Sequence, residues 1–216
     1  MRNTFLIVLL VTFLQSCAQN SHTTKTVLTH YNPANAIEKN MPPDLREISG
    51  ITFTNNDSII YAEQDELGNV YAFNTNTNQT SKVYSLGIKG DFEDIVYSNG
   101  IFYLLRSDGR IFTFSSESMA QTTNYTEFEN IVPKAEYEGL YYQKKSNSLF
   151  LLAKTIPEKE MGIIYQLGVD NAGQIKNNKT IKLNTKDWKH VLGYTINHFR
   201  PSAISFSGID NQWFIL

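Results

Sequence analysis

The chain has 216 residues, a net charge of −2, 41% apolar and 12% aromatic residues, and one cysteine. That charge excludes the basic stripe of a nucleic-acid-binding protein, and a lone cysteine excludes an internal disulfide. The 12 Tyr and 13 Phe favour sheet over helix, and the length allows one large domain or two small ones.

The first residues read as an export signal. Arg2 gives a positive start, and residues 5–14 form an apolar core too short to span a bilayer comfortably. Leu14-Gln15-Ser16-Cys17 then has the form of a bacterial lipobox. Residues 1–16 are therefore expected to be a lipoprotein signal peptide, Cys17 the lipidation site, and residues 17–25 a polar tether. This places the domain of residues 26–216 in the cell envelope, on the periplasmic or outer-membrane side, with the membrane as a partner through lipid. Folding then rests on burial and sheet pairing alone.

Residues 26–31 suit a strand that Asn32-Pro33 ends, and Met41-Pro42-Pro43 blocks helix before the next strand. From residue 48 the pattern is strand, turn, strand. Residues 48–54, 58–63, 69–73 and 82–86 are expected as strands, separated by turns at Asn55-Asn56-Asp57, Asp65-Glu66-Leu67-Gly68 and an Asn/Thr-rich stretch. A second unit repeats that order over 92–97, 101–106, 110–114 and 122–128. A third takes 137–143, 149–153, 163–167 and 179–183, with a longer loop at 155–162. A fourth begins after an insertion, residues 184–198, that carries Trp188, His190 and Tyr194.

Each unit opens on a similar phrase: Glu47-Ile-Ser-Gly-Ile51, Asp91-Phe-Glu-Asp-Ile95, Glu136-Tyr-Glu-Gly-Leu140 and, altered, Arg200-Pro-Ser-Ala-Ile204. Residues two apart on an extended chain share a face. Simple alternation would thus set Glu47, Ser49 and Ile51 on one face, Asp91, Glu93 and Ile95 on another, and Glu136, Glu138 and Leu140 on a third. The aligned residues Ser49, Glu93, Glu138 and Ser202 are 44, 45 and 64 apart. A period in the forties with four strands per unit predicts an all-β fold, a β-propeller of four-stranded antiparallel blades. A β-sandwich also uses many short strands but gives no reason for an acidic phrase to open every unit. Ring closure requires the last blade to meet the first, so the sequence is expected to be part of a five- or six-bladed protein.

Leu45-Arg-Glu-Ile-Ser-Gly-Ile51, Asp65-Glu-Leu-Gly68, Gly90-Asp-Phe-Glu-Asp-Ile95, Tyr137-Glu-Gly-Leu140 and Arg200-Pro-Ser-Ala203 together resemble the SdiA-regulated family of β-propellers, over residues 45–216. The resemblance implies an envelope-associated propeller linked to calcium, with no established catalytic activity. Where the family pattern has Glu-Gly, this chain has Glu93-Asp94, which adds a carboxylate.

In a propeller the innermost strands begin at one mouth. Glu47, Asp91, Glu93, Glu136 and Glu138 would converge there, and several hard oxygen ligands suit Ca2+. The same carboxylates are also placed to cap amides or to pair with Arg46, Lys89 or Arg200. Gln64-Asp65, Arg106 and Lys154 end the second strand of successive units, and Arg106, Lys154 and Arg200 are candidates to bind an anionic ligand. Cations at strand ends also pair with nearby carboxylates.

The sequence therefore favours a calcium-responsive protein that binds a small ligand or a protein partner. No Gly-x-Ser-x-Gly elbow occurs, and His22, His30, His190 and His198 lack zinc-type spacing. The enzyme alternative is a metal-assisted hydrolase of the phytase-like or lactonase-like propeller type. For a protein partner, the loop 155–162 and the insertion with Trp188 and Tyr194 are the exposed elements.

Overall fold

Asparagines and glycines that adopt positive φ set the turns that divide the chain into short strands. Asn78, Asn99, Asn130, Asn147 and Asn211 do so among non-glycine residues, and Gly68, Gly100 and Gly109 among the glycines. The computed structural model describes residues 33–117, 124–157, 161–209 and 211–216, except for the side chains of residues 178 and 191. The chain divides into two units, Met1–Glu38 and Lys39–Leu216. In the first, the described part includes a single 3-10 turn, Pro33–Asn35. The expected signal peptide, lipidation site, tether and first strand lie outside the described residues.

Among the described residues, the second unit forms three antiparallel four-stranded sheets and one hairpin. The first sheet orders β1 (Ile48–Phe53), β2 (Ile59–Gln64), β3 (Asn69–Asn74) and β4 (Gln79–Ser85). The second orders β5 (Phe92–Ser98), β6 (Ile101–Arg106), β7 (Ile111–Ser115) and β8 (Thr126–Phe128). The third orders β9 (Glu136–Gln143), β10 (Ser148–Thr155), β11 (Met161–Val169) and β12 (Ile175–Asn184), and β13 (Ile204–Ser207) pairs with β14 (Gln212–Ile215). First strands neighbour one another in sequence, β1 beside β5, β5 beside β9 and β9 beside β13. That is the blade arrangement of a propeller, with each blade's leading strand innermost.

Apolar side chains fill the seams between blades. Val70, Leu86, Phe92, Ile95, Phe102 and Phe112 form the seam of the first two blades. Phe102 stacks on Phe114 with centroids 5.4 Å apart and meets Tyr61 of the first blade at 5.1 Å. Complete burial of such a ring contributes about 2–3 kcal/mol. Val96, Tyr103, Leu105, Tyr137, Leu140 and Leu151 fill the next seam, and Phe150, Leu152, Ile164 and Ile204 the one after it.

Backbone hydrogen bonds stitch the blades together at one end. The Asp65 amide donates to Glu47 O (3.2 Å), and Asp65 O accepts from the Phe92 amide of the next blade (2.8 Å). The step repeats one blade on: Ser107 N to Asp91 O (2.7 Å) and Tyr137 N to Ser107 O (2.9 Å).

Three expectations change. The strands either side of the loop 155–162 run further, to Thr155 and from Met161, so the loop contracts; β12 likewise starts at Ile175. Side-chain bonds from Lys154 and Thr155 to β9 hold the end of β10 in the ladder. The insertion folds into a 3-10 turn, Thr185–Trp188, and a one-turn helix α1, Lys189–Leu192. Its Trp188 meets Phe199 edge-on at 5.3 Å, while Tyr194 is 62% exposed.

Finally, strict alternation fails in the leading strands. Register slips between Ile48 and Ile51, between Phe92 and Asp94, and between Tyr137 and Gly139, so each of the first three repeated phrases carries a β-bulge. Phe92 and Ile95, three apart, therefore share one seam, as do Tyr137 and Leu140. Glu93 and Glu138 do not share a face with the apolar residues two places on.

Candidate acidic mouth and axial cavity

The bulges decide where the acidic side chains go. An extra residue in a strand re-aims its neighbours, and here it turns Glu93 toward the third blade while Phe92 and Ile95 stay in the seam behind it. Glu93 is half-buried and forms no hydrogen bond or ion pair among the described residues. Its carboxyl is pushed up to about 8, first by burial and then by Glu138 and Asp91, with Lys154 pulling the other way.

Glu136 and Glu138 are held by Lys154. Its ammonium contacts Glu136 at 3.2 Å and bonds Glu138 directly. Glu136 also accepts from the Thr155 hydroxyl at 2.6 Å and faces Arg200 at 3.7 Å. These contacts, the Thr155 bond foremost, lower the Glu136 carboxyl, while Glu138 in turn raises Lys154.

On the opposite side of the mouth, the Gln64 amide donates to Glu47 at 3.4 Å and to Asp65 at 3.3 Å. Asp65 is raised by burial, then by Glu47, Glu66 and Asp91. The five carboxylates expected from the sequence thus act on one another around one opening, through Asp65 as a sixth member.

The three cations take carboxylate partners. Arg106 forks onto Asp108, at 3.0 and 2.7 Å, and its guanidinium lies 5.6 Å from the Phe112 ring. Burial, the largest single effect, raises the Asp108 carboxyl, but the Arg106 bond, the Arg110 amide and the charges of both arginines together outweigh it, and the net direction is down. Lys154 and Arg200 both face Glu136. The structure therefore gathers cations as counter-ions to the acids, without forming a cationic pocket from them.

Below the mouth, the leading strands line a cavity of about 520 Å3, with Ser49, Phe53, Asp94, Tyr97, Glu138 and Ser202 among its walls. Asp94, the residue by which this chain departs from the Glu-Gly pattern, bridges two blades. Its Oδ1 accepts from the Ile95 amide at 2.8 Å and its Oδ2 from the Leu140 amide at 2.7 Å. Burial pushes its carboxyl up to about 7 against those two bonds. Gly50 holds the equivalent place in the first blade. A Cβ there would lie 2.5 Å from Asp94 Cα, so only glycine lets the strands approach.

Calcium needs six to eight oxygens around one point. Among the described residues, no group of three or more His, Cys, Asp or Glu is arranged to hold a metal. At the mouth, the Lys154 ammonium already occupies the space between two of the carboxylates. As arranged, those two carboxylates are neutralised by the chain's own ammonium group.

Sequence reasoning missed Glu63 and Gly50 as parts of this region, and marked Asp65 only as a strand end beside Arg106 and Lys154. The signal for Glu63 was a carboxylate in the strand Ile59-Ile-Tyr-Ala-Glu63, which is otherwise apolar up to that point.

No protein-family model matches the sequence, and no curated protein matches it. Among solved structures, the chain is similar to one in the crystal structure of a nidogen/laminin complex, with a TM-score of 0.52 and 14% identity over 78% of this chain. It spans 56% of that chain, about half its length. The computationally designed Ika4 protein is similar at a TM-score of 0.43 and 11% identity, over 78% of this chain and 89% of that one. At these identities the likeness to the nidogen/laminin structure is one of fold, and it agrees with the blade order of residues 48–215: the chain has a propeller-type, all-β architecture.

Proposed function

We propose that this chain is the binding part of a five- or six-bladed envelope propeller, anchored through lipid on Cys17, whose acidic mouth receives a positively charged group of a ligand or protein partner. Glu93 carries this reading. It is a half-buried carboxylate among like charges, with no partner of its own, above a cavity large enough for a small organic group. Lys154 acts as the resident stand-in, showing where an ammonium is accepted. The resemblance to SdiA-regulated propellers agrees with an envelope location, and the lipobox Leu14-Gln-Ser-Cys17 with the anchor.

A cation entering beside Glu93 lowers its carboxyl and releases a proton, so binding is linked to pH. The test is a calorimetric titration of the full chain with a short lysine-rich peptide, in two buffers of different ionisation heat. Expected are proton release at neutral pH, weakening with salt, and about tenfold weaker binding in E93Q/E138Q. Calcium, the cation expected from the sequence, is added as a competitor in the same experiment. Equal binding by the native chain and E93Q/E138Q overturns the reading. Labelled palmitate incorporation, lost in C17S, tests the anchor.

A further inference from the structure

The third sheet ends on β12, at ten residues the longest strand among those described. The sheet order places it outermost, with β11 on one side and, among the described residues, no strand along the other. A free edge of that length presents a row of backbone N–H and C=O groups about 30 Å long. Lys176, Lys179 and Lys182 stand on it, all exposed and, among the described residues, in no hydrogen bond or ion pair. Lys176 and Lys179 pair with Gly168 and Gln166, two apart on β11, and so share one face of the sheet; Lys182 pairs with Ile163 and stands on the other. Lys189 is exposed just beyond, in α1. Residues 170–190 hold five lysines against Asp170 and Asp187, in a chain of net charge −2. Both acids are engaged locally. Asp170 accepts the Ala172 and Gln174 amides, each at 2.9 Å, and Asp187 accepts from the Asn184 side chain at 3.3 Å. The outer strands of the other two sheets differ: β4 has seven residues and one lysine, Lys82, while β8 has three residues and its Glu127 takes Arg110.

We propose that the β12 edge receives an extended acidic segment of a protein partner, added as a fifth strand of the third blade. Backbone groups of the added strand continue the ladder and supply affinity, and its carboxylates meet the lysines and supply selection. Because the cations stand on both faces of the sheet, the segment must carry acids on both of its own faces, since its side chains alternate in the same way. The same lysines set β12 against a second copy of itself, because edge-to-edge pairing would bring the cations of both copies together. An anionic lipid surface would use the charge but leave the backbone edge unpaired. No residue of β12 belongs to the acidic mouth or to the cavity below it, and the two sites call for ligands of opposite charge.

Calorimetric titration of the full chain with a peptide repeating Glu-Glu-Thr-Thr, which puts carboxylates on both faces of a strand, tests this. One control peptide has Gln in place of Glu, and another has Pro in place of Thr, which removes ladder donors. Expected are binding that weakens with salt, about tenfold weaker binding of the Gln peptide, and slowed exchange of the β12 amides in the complex. K176E/K179E/K182E is expected to lose the binding, K176Q/K179Q/K182Q to weaken it, and E93Q/E138Q, altered only at the mouth, to keep it. Should the charge-reversed variant fail to fold, the glutamine variant decides. Equal binding by the native chain and K176Q/K179Q/K182Q overturns the proposal, as does loss in E93Q/E138Q. Equal binding of the Pro peptide overturns it too, since charge alone is then read. Absence of peptide binding is equally fatal, and capture of the chain on phosphatidylglycerol but not phosphatidylcholine vesicles would then assign the lysines to a lipid surface.

Discussion

The Leu140 amide donates to Asp94 Oδ2 at 2.7 Å, a side-chain-to-backbone bond that crosses from the second blade to the third. The equivalent contacts at Gly50 and Gly139 are made by backbone packing, with the Ile95 and Ile204 amide nitrogens 2.6 and 3.0 Å from where a Cβ would stand. Asp94 thus does with a carboxylate what the neighbouring seams do by close approach. Its bond also fixes the third leading strand at the wall of the cavity.

Removing that carboxylate leaves the Leu140 amide without a partner. D94A is expected to cost about 1–3 kcal/mol, seen as a Tm lower by several degrees. D94N keeps one of the two amide bonds and should lose less. Denaturant melts of both variants in chelator, fitted with a common m-value, check the order.

Gly50 has no room for a methyl group. A Cβ would meet Asp94 Cα at 2.5 Å and the Ile95 nitrogen at 2.6 Å, and backbone atoms cannot step aside. G50A is expected to destabilise by about 1–3 kcal/mol or more. G208A, where nothing lies within 4 Å, should be close to neutral. Melting the pair side by side separates the seam from a general effect of alanine.

Stability should fall as pH rises through neutrality. Asp94 moves from an ordinary 3.8 to about 7 on folding, and Glu93 from 4.5 to about 8. Both folded carboxyls hold their protons more tightly than the unfolded chain does. The stability they contribute is fully present below their unfolded values and is lost as pH rises through the folded ones. Glu136 and Asp108, held low, act only in acid and leave this window untouched. In chelator, Tm should therefore decline from about pH 5 to about pH 8, and E93Q should flatten the upper part of the decline.

Lys154 neutralises Glu136 and Glu138, so K154M strands Glu138, while Glu136 keeps the Thr155 hydroxyl and Arg200. A Tm loss of a few degrees is expected, together with a further rise of the Glu93 carboxyl, since Lys154 holds that group down. Adding E138Q to K154M should recover part of the loss, giving a coupling of about 1 kcal/mol in a double-mutant cycle. A zero coupling would show that Lys154 is solvated and not engaged.

The blade order and most strand positions were legible because they rest on local signals. Apolar runs alternate with turns such as Ser107-Asp-Gly109, where a positive φ is needed. The repeated phrase marked Glu47, Asp91, Glu93, Glu136 and Glu138, and the structure links them electrostatically through Asp65 and Glu93. The bulges were not, since they depend on the partner strand. Their trace was the three-residue spacing of Phe92 to Ile95 and Tyr137 to Leu140, read instead as a period of two. The commitment of Arg106 to Asp108 and of Lys154 to Glu138 depends on side-chain geometry across turns and strands, which residue type alone does not fix. Glu63 was passed over for the same reason: burial belongs to the assembled seam, not to the strand.

Because the Asp65 carbonyl receives the Phe92 amide, and that of Ser107 the amide of Tyr137, the length of each turn at the mouth sets the position of the blade after it. An extra residue at 65–68 or 107–110 would push the next leading strand, and the carboxylate on it, out of alignment with its neighbours. Turns at the far rim, such as Asn99-Gly100 and residues 144–147, bear no such burden. Drift in turn length should accumulate on that far rim, leaving the charged ring a template that tolerates changes of residue but not of chain length.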